Sequence, residues 1–178
     1  MAVVRESGIW VAQFVITKFH GDDAYDPDAE PYETVETGNQ VCNGGISCLW
    51  QCLLGNGTAT AGQTLTYFSN TNAAIGVGDS NAGFAATQND LQAATNKVRV
   101  GMNATYPQHT DSTAAGATSI VFQSTFGTST ANWAWEEIAA FNSSTASTGR
   151  MLNRRVQSLG TKTSSSSWQA TLTVSVTP

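Results

Sequence analysis

Charge is what this chain has least of. Asp, Glu, Lys and Arg make up 12% of its 178 residues, about half the share of an average soluble protein. Only eight are Lys or Arg and the formal net charge is -5. That excludes a basic face able to displace counterions from phosphates, so no nucleic-acid partner is expected. Long apolar runs are missing too. None approaches the roughly 20 residues of a membrane-crossing helix, and no membrane association is expected. Met1-Ala2-Val3-Val4-Arg5-Glu6 lacks the basic and then apolar segments of a signal peptide, so the expectation is a chain made in a cytoplasm without an export address. In that setting the sequons at Asn56, Asn103 and Asn142 are products of composition.

Metal-ligating residues are equally sparse. Three cysteines, Cys42, Cys48 and Cys52, share one segment, while the two histidines, His20 and His109, lie far from it in sequence. There is no CxxC pair, and a zinc site needs about four ligands. The reading is a reduced, buried set, since a Cys42–Cys48 or Cys48–Cys52 disulfide would be unusual in a reducing compartment. Both histidines read as exposed loop residues. No metal and no cofactor is expected.

Ser, Thr, Asn and Gly are plentiful. They compete with helices for backbone hydrogen bonds and suit turns and the polar face of a sheet. The expected fold is therefore mainly β, an antiparallel β-sandwich or jelly-roll-like arrangement with one short helix and an N-terminal strand and loop region. Ile9 to Phe19, rich in β-branched and aromatic residues, reads as a long strand buried on both faces at its centre. Further strands are expected at Ala73 to Gly78, Lys97 to Ala104, Ser119 to Thr125, Ala131 to Ala140, Met151 to Ser158 and Trp168 to Val176. The last alternates most cleanly, with Trp168, Ala170, Leu172, Val174 and Val176 on one face.

Between Asp22 and Glu36 stand seven acidic residues, two prolines and no base: an exposed loop. Asp26-Pro27-Asp28-Ala29-Glu30 resembles the start of a calcium loop but lacks the turning Gly and the distal bidentate Glu. From Asn43 to Gly55, apolar residues at Ile46, Leu49, Trp50, Leu53 and Leu54 recur at helical spacing. The expectation is a short helix lying with this stripe against a sheet, capped by Asn43 and ended by Gly55. Asn89 to Ala94 reads as a short helical turn and Asn56 to Asn72 as a hinge. Residues 1–62 would hold the N-terminal strand, acidic loop and helix, and 63–178 the sandwich core, together one compact unit.

No catalytic set converges. Gly76-Val77-Gly78 lacks the third Gly and the following long helix of a dinucleotide loop, so Ile75 and Val77 are read as core and Asp79-Ser80-Asn81 as a turn. There is no Gly-x-Ser-x-Gly elbow. Glu136 and Glu137, adjacent on a strand, point to opposite faces and cannot form a glycosidase pair. Trp133 and Trp135 share a face, which fits a sugar-stacking platform or, preferentially, a core or oligomer interface. The chain is not expected to be an enzyme.

Taken in order, Asn43-Gly44-Gly45 with its Leu/Trp helix, Asn72-Ala73-Ala74-Ile75-Gly76-Val77-Gly78-Asp79-Ser80, Thr87-Gln88-Asn89-Asp90-Leu91, Asn132-Trp133-Ala134-Trp135-Glu136-Glu137, Phe141-Asn142, Gly149-Arg150-Met151-Leu152-Asn153-Arg154 and Ser158-Leu159-Gly160-Thr161-Lys162 resemble a family of tailed-bacteriophage virion structural proteins. The resemblance covers about residue 31 to the C-terminus and rests on the order of the blocks. It implies a virion component and no catalytic residues. A small acidic β domain of this kind suits a capsid decoration (cement) protein that binds the major capsid protein on the capsid surface, as a homo-oligomer such as a trimer. The expected partner-binding residues are Trp10, Phe14 and Phe19 of the first strand and Asp22, Asp23, Asp26, Asp28 and Glu30 of the acidic loop. A tail, neck or fibre-attachment protein is the alternative, and a carbohydrate-binding module using Trp133 and Trp135 the third reading.

Overall fold

The computed structural model describes residues 9–54, 66–109 and 117–177. Ten strands and one helix follow the chain as β1 (Ile9–His20), β2 (Glu33–Gly38), β3 (Gln40–Val41), α1 (Asn43–Leu54), β4 (Ala74–Gly78), β5 (Lys97–Gly101), β6 (Gln108–His109), β7 (Ser119–Phe126), β8 (Ala134–Phe141), β9 (Met151–Thr161) and β10 (Ser166–Thr177). They form two five-stranded antiparallel sheets, ordered β2-β1-β10-β7-β6 and β3-β9-β8-β4-β5. The fold is mainly β, two sheets face to face, as the polar composition and strand alternation predict.

β10 is the central strand of the first sheet. It pairs along its whole length with β1, from Ile9 opposite Thr177 to His20 opposite Ser166, and on its other side with β7. The alternating set Trp168, Ala170, Leu172 and Val174 is buried, as predicted, while Val176 at the end of the strand is exposed. These side chains meet Phe14 and Ile16 of β1, Phe122 and Phe126 of β7, and Ile75, Val77, Trp135, Ile138, Leu152 and Leu159 of the second sheet in one core. At its centre the rings of Phe126 and Trp135, and of Trp135 and Trp168, pack edge to face, each pair 4.7 Å between centroids.

The N-terminal segment is thus woven into the sandwich rather than standing before it. β1 and β2 are strands of the same sheet as the C-terminal β10, so the expected division at residues 62 and 63 does not coincide with a boundary between sheets. β1 also corrects its expectation. The face carrying Phe14 and Ile16 is buried, while on the other Val15 and Thr17 are half-exposed and only Phe19, near the end of the strand, is buried, because the second sheet packs on the Phe14 and Ile16 side. The acidic stretch is shorter as a loop than expected, since β2 begins at Glu33 and places Glu36 opposite Val15. His20 and His109 lie in strands, β1 and β6, rather than in loops.

The second sheet is covered on its outer face as well. The irregular connection 79–96 lies over it, bringing Leu91 and Phe84 against Cys42, Ala139, Phe141 and Met151. No helical turn forms at residues 89–94, because the connection is held extended by side-chain bonds described below. This cover leaves every residue of β4 buried and accounts for its glycines. A Cβ on Gly76 would lie 2.9 Å from the Phe141 ring, and one on Gly78 2.5 Å from Glu137 Oε1. The two glycines are thus packing positions beneath the connection.

Candidate functional site

The predicted partner residues do not converge. Phe14 and Phe19 are buried and offer a partner no surface: Phe14 points into the core between the sheets, and Phe19, five residues further on, is buried on the opposite face of β1 near its end. Trp10 is partly exposed but ten residues from the end of β1 that feeds the acidic loop, roughly 30 Å along an extended strand. Asp22, Asp23, Asp26, Asp28 and Glu30 are exposed, as expected. They form one acidic edge that begins in a single 3₁₀ turn, Asp23–Tyr25. Asp22 Oδ1 accepts the Thr128 N–H at 3.3 Å, and Asp26 Oδ1 accepts the Asp28 N–H at 3.0 Å. Tyr25 and Tyr32 are exposed beside them, and Tyr32 stacks on His20 with centroids 4.6 Å apart.

The few bases of the chain are largely spent inside it. Lys18, buried against the Trp168 ring at 4.4 Å, pairs with Glu33 at 2.9 Å. Lys162 donates to the Gly127 carbonyl at 2.7 Å and to Asn132 Oδ1 at 2.9 Å. Burial pulls its ammonium below the ordinary lysine range, and the Asp22 carboxylate opposes that shift.

The most enclosed polar groups form clamps that no sequence pattern announced. Glu137 and Arg154 are wholly buried and joined at 2.7 Å. The carboxylate also accepts the Gln92 and Ala93 N–H groups at 3.0 and 2.8 Å, and the guanidinium donates to Gln88 Oε1 and the Ala82 carbonyl at 2.9 and 3.0 Å. Both thus tie the 79–96 connection to the sheet. Arg99 repeats the device. It lies on the Phe141 ring at 3.6 Å, pairs with Asp90 at 2.7 Å and donates to the Ser143, Thr145 and Thr148 carbonyls at 3.0, 2.9 and 2.8 Å. Burial by itself would raise the Asp90 carboxyl. The Arg99 hydrogen bond and charge, with the Leu91 N–H and Lys97, outweigh it and hold the group below its usual range.

The tryptophan pair does not form a platform. Trp135 is buried between Phe126 and Trp168, and Trp133 precedes β8 and packs against the core. Of the preferred expectation, a core or an oligomer interface, core packing describes Trp135, and Trp133 is partly buried against that core. Cys42, Cys48 and Cys52 are free thiols. Burial pushes Cys42 to about 11, and burial with the neighbouring Cys52 does the same for Cys48, so both stay protonated and unreactive at neutral pH. Among the described residues no group of three or more His, Cys, Asp or Glu side chains gathers as a metal would require.

The largest departure from expectation is α1. The helix forms over the predicted residues, although its first hydrogen bond runs from the Ile46 N–H to the Cys42 carbonyl, so that Cys42 and not Asn43 caps it. Gly55 lies outside the described residues. The apolar stripe faces outward. Trp50 is 60% exposed, Leu53 and Leu54 76% each, and Ile46 and Leu49 are exposed with them, while the buried residues are Gly45 and Cys48. A Cβ on Gly45 would overlap the Leu152 backbone of β9. The small side of the helix therefore seats it close to the strand, which turns the large side chains to the surface. Leu49 continues into a groove of about 470 Å³ lined by Trp10, Ile120, Val174 and Val176, and Ile46, Trp50 and Leu54 line a second hollow of about 460 Å³. One signal for this arrangement was present: α1 carries no charged residue, so its other side was never a good solvent face.

No protein-family model matches the chain, and no curated protein or solved structure does either.

Proposed function

We propose that the chain is a structural protein of a phage virion that decorates the capsid and stabilises it by binding the major capsid protein. The observation that carries this reading is how its polar groups are used. Buried Glu137, Arg154 and Arg99 are committed to clamping loops onto the sandwich, while an acidic edge and an apolar helix face lie open at the surface. Such a division suits a rigid block that works through contacts. The order of sequence blocks described above supports the virion assignment.

In this reading the acidic loop 22–30 docks on basic residues of the shell, so binding weakens as salt rises. Quantitative mass spectrometry of purified particles, scaled to the major capsid protein, tests it. Copy numbers in the hundreds, in simple ratio to the capsid protein, are expected. A handful of copies would move the chain to the tail, neck or fibre attachment, and its absence from particles would overturn the virion reading.

A further inference from the structure

We propose that the outward face of α1 is a self-association surface on which the apolar stripe of one copy packs against that of a second copy about a symmetry axis. The stripe runs Ile46, Leu49, Trp50, Leu53, Leu54, the i, i+3, i+4, i+7, i+8 seam by which helices pack on helices. All five are exposed, and Trp10 and Val176 extend the surface across the adjoining groove.

Size and composition choose the occupant. From these exposed fractions, the seven residues leave on the order of 800 Å² open, more than the usual 300–600 Å² patch of a monomer and about what one partner contributes to a standard interface. The chain offers little to close it from its own remaining residues. Positions 55–65 contain one large apolar side chain, Leu65, positions 110–116 none, and positions 1–8 only Met1, Val3 and Val4. No charged residue lies on the helix to be matched by opposite charge. An uncharged stripe is complementary to another like itself, and a symmetric contact needs only that one surface. The inward side of the helix is small and fits closely on β9, so seating α1 on the sheet leaves the stripe free for this use.

Sedimentation equilibrium of the full chain between 1 and 100 µM tests the inference. The expected result is a mass of a whole number of chains above one. Replacing Leu53 and Leu54 together by Glu raises the dissociation constant by on the order of 100-fold, as loss of central apolar anchors does. Both side chains are largely exposed, so far-UV circular dichroism of the variant stays that of the parent. If the glutamates disturb the helix, Leu53→Ala with Leu54→Ala keeps its propensity while removing the anchors. A Lys/Lys variant behaves like the Glu/Glu one, and mixing the two restores association, because stripe meets stripe. A monomer at 100 µM overturns the inference, as does an oligomer that the substitutions leave intact, or a failure of the mixed variants to associate. A monomer that still decorates particles would overturn only the self-association, and an oligomer absent from particles only the virion reading.

Discussion

Asp90 joins two parts of the molecule through one carboxylate. It pairs with Arg99 on β5, its Oδ1 accepts the Leu91 N–H at 2.8 Å, and its Oδ2 lies 3.8 Å from Lys97. Its pKa in the folded chain is below the ordinary value, whereas in the unfolded chain it titrates near 3.9. A depressed folded pKa means that the stabilisation is full above the unfolded value and is lost as pH falls through the folded one. Urea midpoints are therefore expected to fall below about pH 4. Asp90→Asn should be less stable at pH 7 and should lose part of that acid dependence. An Asp90→Asn variant with the parent's pH profile would remove Asp90 from this role. Neither Arg99 nor Ser147, whose hydroxyl donates to Asp90 Oδ2 at 3.3 Å, could be paired with Asp90 by sequence spacing, because the connection that brings them together is irregular.

At the scale of the element, α1 shows how a periodic pattern can be right about structure and wrong about direction. The spacing of Ile46, Leu49, Trp50, Leu53 and Leu54 correctly marks a helix over Asn43–Leu54. It says only that the stripe wants to leave water. Which surface it meets depends on how closely the opposite side can approach β9, and Gly45 permits the closer contact there. Gly45→Ala forces a methyl into the Leu152 backbone and is expected to destabilise by about 1–3 kcal/mol, as overpacking does. Chemical denaturation would show it as a lower midpoint. An unchanged midpoint would mean that α1 sits less tightly on β9. The strands were more legible: β4 and β7 fall within one residue of their expected bounds and β10 within two, while β9 runs three residues further, to Thr161, β8 begins three residues later, at Ala134, and β5 stops at Gly101, three residues short. Glu33 and Glu36 belong to β2 and not to the expected loop, because charge alone does not imply a loop. An edge strand carries charge equally well, and β2 is the edge of its sheet.

For the whole molecule, the decisive contact is that of the first and last strands among the described residues. β1 and β10 pair over twelve residues each, and Trp168 of β10 packs on Trp135 of the opposite sheet. Neither sheet can separate without exposing the shared core, so the chain is expected to unfold as one unit. Tryptophan fluorescence and far-UV circular dichroism should then give coincident urea transitions. Two resolved transitions would mean that the N-terminal segment and the rest are separate cooperative units after all.

What the sequence determined alone is what depends on neighbours along the chain. The β class, most strand positions and the extent of α1 follow from alternation, helical spacing and breakers, which act within a few residues. Tertiary structure decided the rest. It buried Phe14 and Phe19, turned Trp135 into core, made Glu137 and Arg154 a clamp for the connection 79–96, and faced the α1 stripe outward. Each of these depends on which distant backbone comes within a few ångströms, such as Leu152 beneath Gly45 or Phe141 above Gly76. An apolar periodicity states that burial is favourable, and only the packed fold determines whether the chain itself or a second molecule provides it.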